Sequence, residues 1–122
     1  MSKKILIVDD EPNIVKMVES RLRAEGYEIV TARDGQEGLD AARKEKPDLI
    51  ILDIMMPKLD GYEVCRMLRA DIQYNAIPIV MLTACGQATD IKEGMERGAD
   101  AYIAKPFEPN VLVGIVDGLV GK

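Results

Sequence analysis

The chain has 122 residues, 16 Lys and Arg against 21 Asp and Glu for a net charge of −5, two Cys, and no His or Trp. Its size and its 48% hydrophobic, 30% charged composition suit one folded domain that buries a core without disulfide or metal staples, and they exclude disorder. The lack of His excludes Ser-His-Asp and Cys-His catalysis, an imidazole base near pH 7 and any His metal ligand, and the negative charge argues against direct nucleic-acid binding.

In chain order, Ile5-Leu6-Ile7-Val8 is a short continuous apolar run, the pattern of a strand covered on both faces. Pro12 opens a helix whose apolar residues Ile14, Met17, Val18 and Leu22 recur at helical spacing until Gly26. Glu28–Ala32 reads as an alternating strand nearer the sheet edge. Asp34 and Glu37 have the spacing of a capping box, ahead of a helix that runs to about Glu45. After Pro47, Leu49-Ile50-Ile51-Leu52 has the most buried pattern of any strand. Residues 56–61 form a loop, then Asp60 and Glu63 repeat the cap spacing before a stripe of Val64, Met67 and Leu68. Pro78 precedes the fourth strand, Ile79-Val80-Met81-Leu82. Ile91 and Met95 mark a polar fourth helix ended by Gly98, Ala101–Ala104 is the fifth strand, and Pro109 starts a last helix.

Five β-α units in this length imply an α/β fold with a parallel sheet. Right-handed crossovers place helices on both faces, giving a three-layer sandwich. The simplest doubly wound solution is flavodoxin-like (βα)5 with strand order 2-1-3-4-5. No linker, low-complexity tract or repeat interrupts the chain, so one domain is expected over residues 1–122. No apolar run approaches the roughly 20 residues of a membrane span and no signal-peptide pattern opens the chain, so a cytoplasmic location is the expectation. Cys65 and Cys85 lack CxxC spacing, so neither a disulfide framework nor a zinc site is indicated, and Cys65 reads as a buried helix residue.

The strand ends carry the chemistry. Strand one runs into Asp9-Asp10, strand three into Asp53, strand four into Thr83 and strand five into Lys105-Pro106. In a parallel sheet these ends share one edge, the edge where open α/β folds bind ligands. Singly, each residue reads as a turn, cap or solvated surface group; jointly, they form a charged cluster of the kind that marks a functional cleft. At ~4 Å and an effective dielectric near 20, each like-charged pair costs roughly 4 kcal/mol before screening. Lys105 offsets part of that, and a hard divalent cation would offset more; Mg²⁺ suits one or two carboxylates plus waters. Asp53, on the central strand, is then placed as a carboxylate nucleophile toward a cation-bound phosphoryl group, with Lys105 and Thr83 to hold the phosphoryl oxygens.

With these residues in view, the chain resembles the receiver domain of bacterial two-component response regulators. The matching motifs are Asp9-Asp10-Glu11-Pro12, Asp53-Ile54-Met55-Met56-Pro57 with Gly61, Thr83-Ala84, and residues 98–107 around Lys105-Pro106-Phe107, in the family's order and spacing. The resemblance implies that Asp53 is the phosphoacceptor. It implies that Asp10 and Asp53 bind Mg²⁺ by side chain (with Mn²⁺ as a substitute), Asp9 partly through water and Met55 through its backbone carbonyl. Lys105 would contact the phosphoryl group and join Pro106 by a cis bond. Thr83 and Tyr102 would move together as a switch, coupling the pocket to the surface of the fourth helix, fifth strand and fifth helix. The donor would be a phosphohistidine on a sensor histidine kinase or a histidine phosphotransfer protein, and the recipient an output domain or downstream protein. The domain would act only in its own phosphorylation and dephosphorylation.

Met55 and Met56 read as pocket-rim and packing residues; Tyr102 has a plain reading as a half-buried strand residue with a wet hydroxyl. Cys85 lies where the family varies residues that influence phosphoryl lifetime. In the last helix, Leu112, Val113, Val116, Leu119 and Val120 form one apolar face, leaving Val111 and Ile115 outside it. The winged-helix DNA-binding subfamily typically has Glu and Arg at those two positions, so this helix either offers an apolar patch to a partner or a weak homodimer, or is loosely specified by Gly114 and Gly118. An aspartate-nucleophile phosphatase is the alternative activity, but it needs a second acid two residues after the nucleophile, where this chain has Met55.

Overall fold

The computed structural model describes residues 2–56, 58–83 and 98–121. The expected fourth helix around Ile91 and Met95, together with Pro57, Ala84 and Cys85, lies outside them. Five parallel strands form one sheet: β1 (Lys4–Val8), β2 (Glu28–Ala32), β3 (Leu49–Asp53), β4 (Ile79–Thr83) and β5 (Ala101–Ala104), in the order β2-β1-β3-β4-β5. The helices among the described residues are α1 (Pro12–Ala24), α2 (Gly35–Glu45), α3 (Gly61–Arg69) and α4 (Pro109–Val120), the last being the fifth in the expected order.

Alternation along the strands splits the core in two. Leu6, Val8, Ile50, Leu52, Ile79 and Met81 pack with Leu39 of α2 and with Val64, Cys65 and Leu68 of α3. Their neighbours Ile5, Ile7, Leu49, Ile51, Val80 and Leu82 face the other way, onto α1 and α4. The central strand β3 is buried along its whole length, because it has strands on both sides and helices on both faces. Strand β2 lies at the edge as expected, but its burial does not alternate: Ile29 packs on one face and Val30 and Ala32 on the other, because helices cover both faces of the sheet, and Glu28 and Thr31 are exposed.

Local signals set the helix starts. Asp34 accepts the Glu37 N–H at 2.8 Å and Asp60 accepts the Glu63 N–H at 2.9 Å, capping α2 and α3. Pro12 and Pro109 occupy the first turns of α1 and α4. Gly26 and Gly98 take φ of 95° and 98° where the sequence pattern ends a helix.

One packing expectation changes in α4. Ile115 is half-buried against the α1–α4 core rather than outside the apolar face, and of the two Val111 is the exposed one, at 52%. Met56 packs on the core and the Met55 side chain is 72% exposed, which fits a packing and a rim residue. None of the described helices is long and apolar enough to cross a membrane.

Candidate functional site

Strand register builds the site. Val8 pairs with Leu52, which brings the following residue, Asp9, level with Asp53. Asp53 pairs with Leu82, so Thr83 stands one step further along β4. Thr83 pairs with Ala104, and the next residue is Lys105. Its N–H donates to the Thr83 carbonyl at 2.6 Å, tying the two strand ends together, and the Lys105–Pro106 bond is cis, as the resemblance implies.

The loops close tightly over this edge. A Cβ at Gly61 would stand 2.4 Å from the Asp53 carbonyl oxygen, so only glycine lets α3 begin against the end of β3. The Gly61 N–H donates to the Ile54 carbonyl at 2.9 Å and pins that approach. At Gly35, a Cβ would fall 1.9 Å from the Leu59 carbonyl oxygen, which fixes how near α2 comes to the β3–α3 loop.

The acids converge. Asp9, Asp10 and Asp53 each offer a carboxylate oxygen, all within 4.8 Å of one another. Asp9 is 0% exposed, Asp53 3% and Thr83 4%, while Asp10 faces solvent. Lys105 Nζ lies 3.1 Å from Asp9 Oδ2, 2.9 Å from Glu11 Oε1 and 3.5 Å from Asp53 Oδ1. Asp9 Oδ1 accepts the Glu11 N–H at 2.9 Å. Asp9 Oδ2 is fully buried, and despite the nearby ammonium it accepts no well-directed hydrogen bond.

Electrostatics follow from that crowding. Burial, and then the neighbouring Asp9 charge, push the Asp53 carboxyl up to about 7; Lys105 offsets them only in part. Burial pulls the Lys105 ammonium down, but its hydrogen bond to Glu11, its close contact with Asp9 and the charges of Asp53 and Asp9 outweigh this and hold it above the ordinary lysine value. The pocket is short of positive charge. Three hard carboxylates with an unsatisfied buried oxygen fit a divalent cation of the Mg²⁺ type, and Asp9, Asp10 and Asp53 are the residues placed to hold it.

Tyr102, on β5, is half-buried against the core on the α2–α3 side, with its hydroxyl 3.3 Å from that of Tyr62. The sequence expectation therefore brings together Asp9, Asp10, Asp53 and Lys105, and puts Thr83 on the same edge. It did not give Glu11 a role of its own. The available signal was a Glu directly before Pro12, a residue type that caps helices poorly. Arg69 was also missed. Its guanidinium donates to the Gly98, Asn75 and Ile77 carbonyls at 2.9, 3.0 and 2.7 Å and to Asp100 Oδ2 at 2.6 Å.

A doubly wound α/β domain with an acidic, cation-ready pocket and a lysine at the carboxyl edge of its sheet belongs to the class of phosphorylation-controlled signalling domains. A family profile described as the response regulator receiver domain matches residues 5–117, and the chain belongs to that family. The chain is 51% identical over 120 residues to the probable transcriptional regulator ycf27 of Cyanophora paradoxa, covering 98% of this chain and 49% of that protein. It thus spans about half the length of the curated relatives it matches. Its structure resembles a putative response regulator of Chloroflexus aurantiacus with a TM-score of 0.95 and 39% identity, over 100% of both chains. It also resembles the receiver domain of the sensor histidine kinase PA1611 of Pseudomonas aeruginosa, with a TM-score of 0.91 and 32% identity over 100% of both chains; that structure has a magnesium ion in its active-site cleft. These matches favour a signalling domain and give no support to the phosphatase alternative.

Proposed function

We propose that residues 1–122 form one receiver domain that accepts a phosphoryl group on Asp53 from a phosphohistidine of a sensor histidine kinase or histidine phosphotransfer protein. An Asp53 carboxylate oxygen attacks phosphorus; the P–O bond forms as the P–N bond to the donor imidazole breaks. Asp10 and Asp53 would hold Mg²⁺ (or Mn²⁺) by side chain, with Asp9 and the Met55 backbone carbonyl also at the site. Bound there, the cation would neutralise charge on the carboxylates and the phosphoryl oxygens. Lys105 and the Thr83 hydroxyl take the remaining phosphoryl oxygens, and burial of Asp53 limits access of water. The chain acts on no other substrate.

Thr83 and Tyr102 form the switch. It reads out on the surface of the fourth expected helix, β5 and α4, toward an output domain or a downstream protein in the cytoplasm. Relatives named as transcriptional regulators and twice as long as this chain favour a DNA-binding output, while the acidic receiver itself makes no nucleic-acid contact. Self-association through α4 would rest mainly on Val111, its exposed large apolar residue.

The observation that carries this reading is the buried Asp53 carboxyl between two further acids, with Lys105 Nζ 3.5 Å away. Incubation with acetyl phosphate and Mg²⁺, read by intact mass, tests it. The wild type gains one phosphoryl group and Asp53→Asn gains none. A wild type that stays unmodified with Mg²⁺ present refutes the reading.

A further inference from the structure

We propose that Glu11 is a positioning residue that holds Lys105 in the resting state and competes with the incoming phosphoryl group for its ammonium. The proposal rests on the phosphoacceptor reading above. Glu11 is the N-cap residue of α1, yet its side chain makes no hydrogen bond to the α1 amides. It reaches instead across the pocket to Lys105 Nζ at 2.9 Å, from a residue 94 positions further along the chain. That is nearer than Asp9 at 3.1 Å and nearer than the phosphoacceptor at 3.5 Å. The Glu11 backbone N–H meanwhile holds Asp9 Oδ1, so one residue orients both a buried acid and the only cation seen against these acids among the described residues.

The competition follows from what holds the ammonium. Among the described residues Glu11 accepts its directed side-chain hydrogen bond, at 2.9 Å, while Asp9 and Asp53 add charge at 3.1 and 3.5 Å. To turn toward a phosphoryl oxygen on Asp53, Nζ must lengthen one of these contacts. Asp9 is fully buried and has no water to turn to, whereas the Glu11 side chain is 57% exposed and can be rehydrated. Glu11 is therefore the partner that yields. With one partner in solvent, this ion pair is weak enough to break in each cycle.

Three measurements test this. In metal-free protein, acylation of Lys105 by succinimidyl acetate, followed by peptide mass analysis, rises several-fold in Glu11→Ala. Glu11→Asp, which keeps the charge but is one methylene too short, behaves like Glu11→Ala; Asp caps helices well, so this variant folds. With Mg²⁺, the acetyl phosphate concentration giving half-maximal phosphorylation rate falls on the order of fivefold in both variants, with little change in the maximal rate. In a Lys105→Ala background, Glu11→Ala has no effect. Wild-type behaviour of Glu11→Asp, or an undiminished Glu11→Ala effect without Lys105, overturns the proposal. If the wild type accepts no phosphoryl group, the phosphoacceptor reading fails, while the metal-free labelling still decides whether Glu11 holds Lys105.

Discussion

At the amino edge of the sheet, Arg69 spreads one guanidinium over three carbonyls and Asp100, and Asp100 Oδ2 also accepts the Ile79 N–H at 2.8 Å. Lys4 works beside it, with Glu45 at 3.1 Å and Glu28 at 3.5 Å, while its N–H donates to Asp48 at 2.7 Å. The acids there are paired while still partly in solvent, and the bonds tie α3, the α3–β4 loop and the start of β5 to the sheet. At the carboxyl edge, one ammonium faces Asp9, Glu11 and Asp53, with Asp10 close by. A buried acid is left pushed up to about 7. The same sheet thus has an edge whose acids are paired in partial solvent and hold the fold, and an edge whose acids are buried around one ammonium and hold the chemistry. Strain of this sort persists at functional sites because the surrounding structure over-determines it.

The sharpest way to break that contrast is Asp53→Asn, which should abolish phosphoryl acceptance entirely while leaving the fold intact, as read by intact mass and circular dichroism. Gly61→Ala comes next. Its Cβ would press on the Asp53 carbonyl, so the initial phosphorylation rate should fall at least about tenfold as the acceptor shifts. At the other edge, Arg69→Ala should cost about 1–2 kcal/mol in urea unfolding, because the part-buried Gly98 and Ile77 carbonyls lose their donor. Phosphoryl transfer to the folded protein should survive; its loss would show that the edges are not separable.

The pH dependence sharpens the comparison further. In metal-free protein, folded Asp53 keeps its proton up to about 7, whereas an unfolded chain loses it near 3.9. The folded state therefore binds more protons across that window. The Asp53 contribution to stability is complete below about pH 4 and is lost as pH rises through about 7, a fall on the order of 2–4 kcal/mol. Asp53→Asn should remove this slope, as seen in urea midpoints at several pH values. Mg²⁺ displaces that proton, so its affinity should tighten across the same range. The smallest effect lies away from both edges: Cβ atoms at Gly114 and Gly118 meet nothing within 4 Å, so Ala at either should stabilise α4 by about 0.5–1 kcal/mol.

Much of this was legible beforehand. The second and fifth strands and the end of α2 fall where the pattern puts them, and the others differ by a residue at one end. Apolar runs, prolines and Asp-x-x-Glu spacings are local signals, and they acted locally. Ile115 was misplaced because helical spacing gives the centre of an apolar face but not its width, which depends on how closely the neighbouring elements pack.

Glu11 and Arg69 show a different limit. Each bonds across 94 and 31 residues, to Lys105 and Asp100 respectively, and no local pattern encodes such a partner.

The sequence by itself determined the order of strands and helices, and that Asp9, Asp10, Asp53, Thr83 and Lys105 end strands of one parallel sheet, because periodicity and strand polarity are properties of the chain. Only the tertiary structure decided which of the acids holds Lys105, how deeply Asp9 and Asp53 are buried, and hence which carboxyl keeps a proton near neutral pH. Those depend on distance and desolvation, and both exist only once register has brought the strand ends side by side.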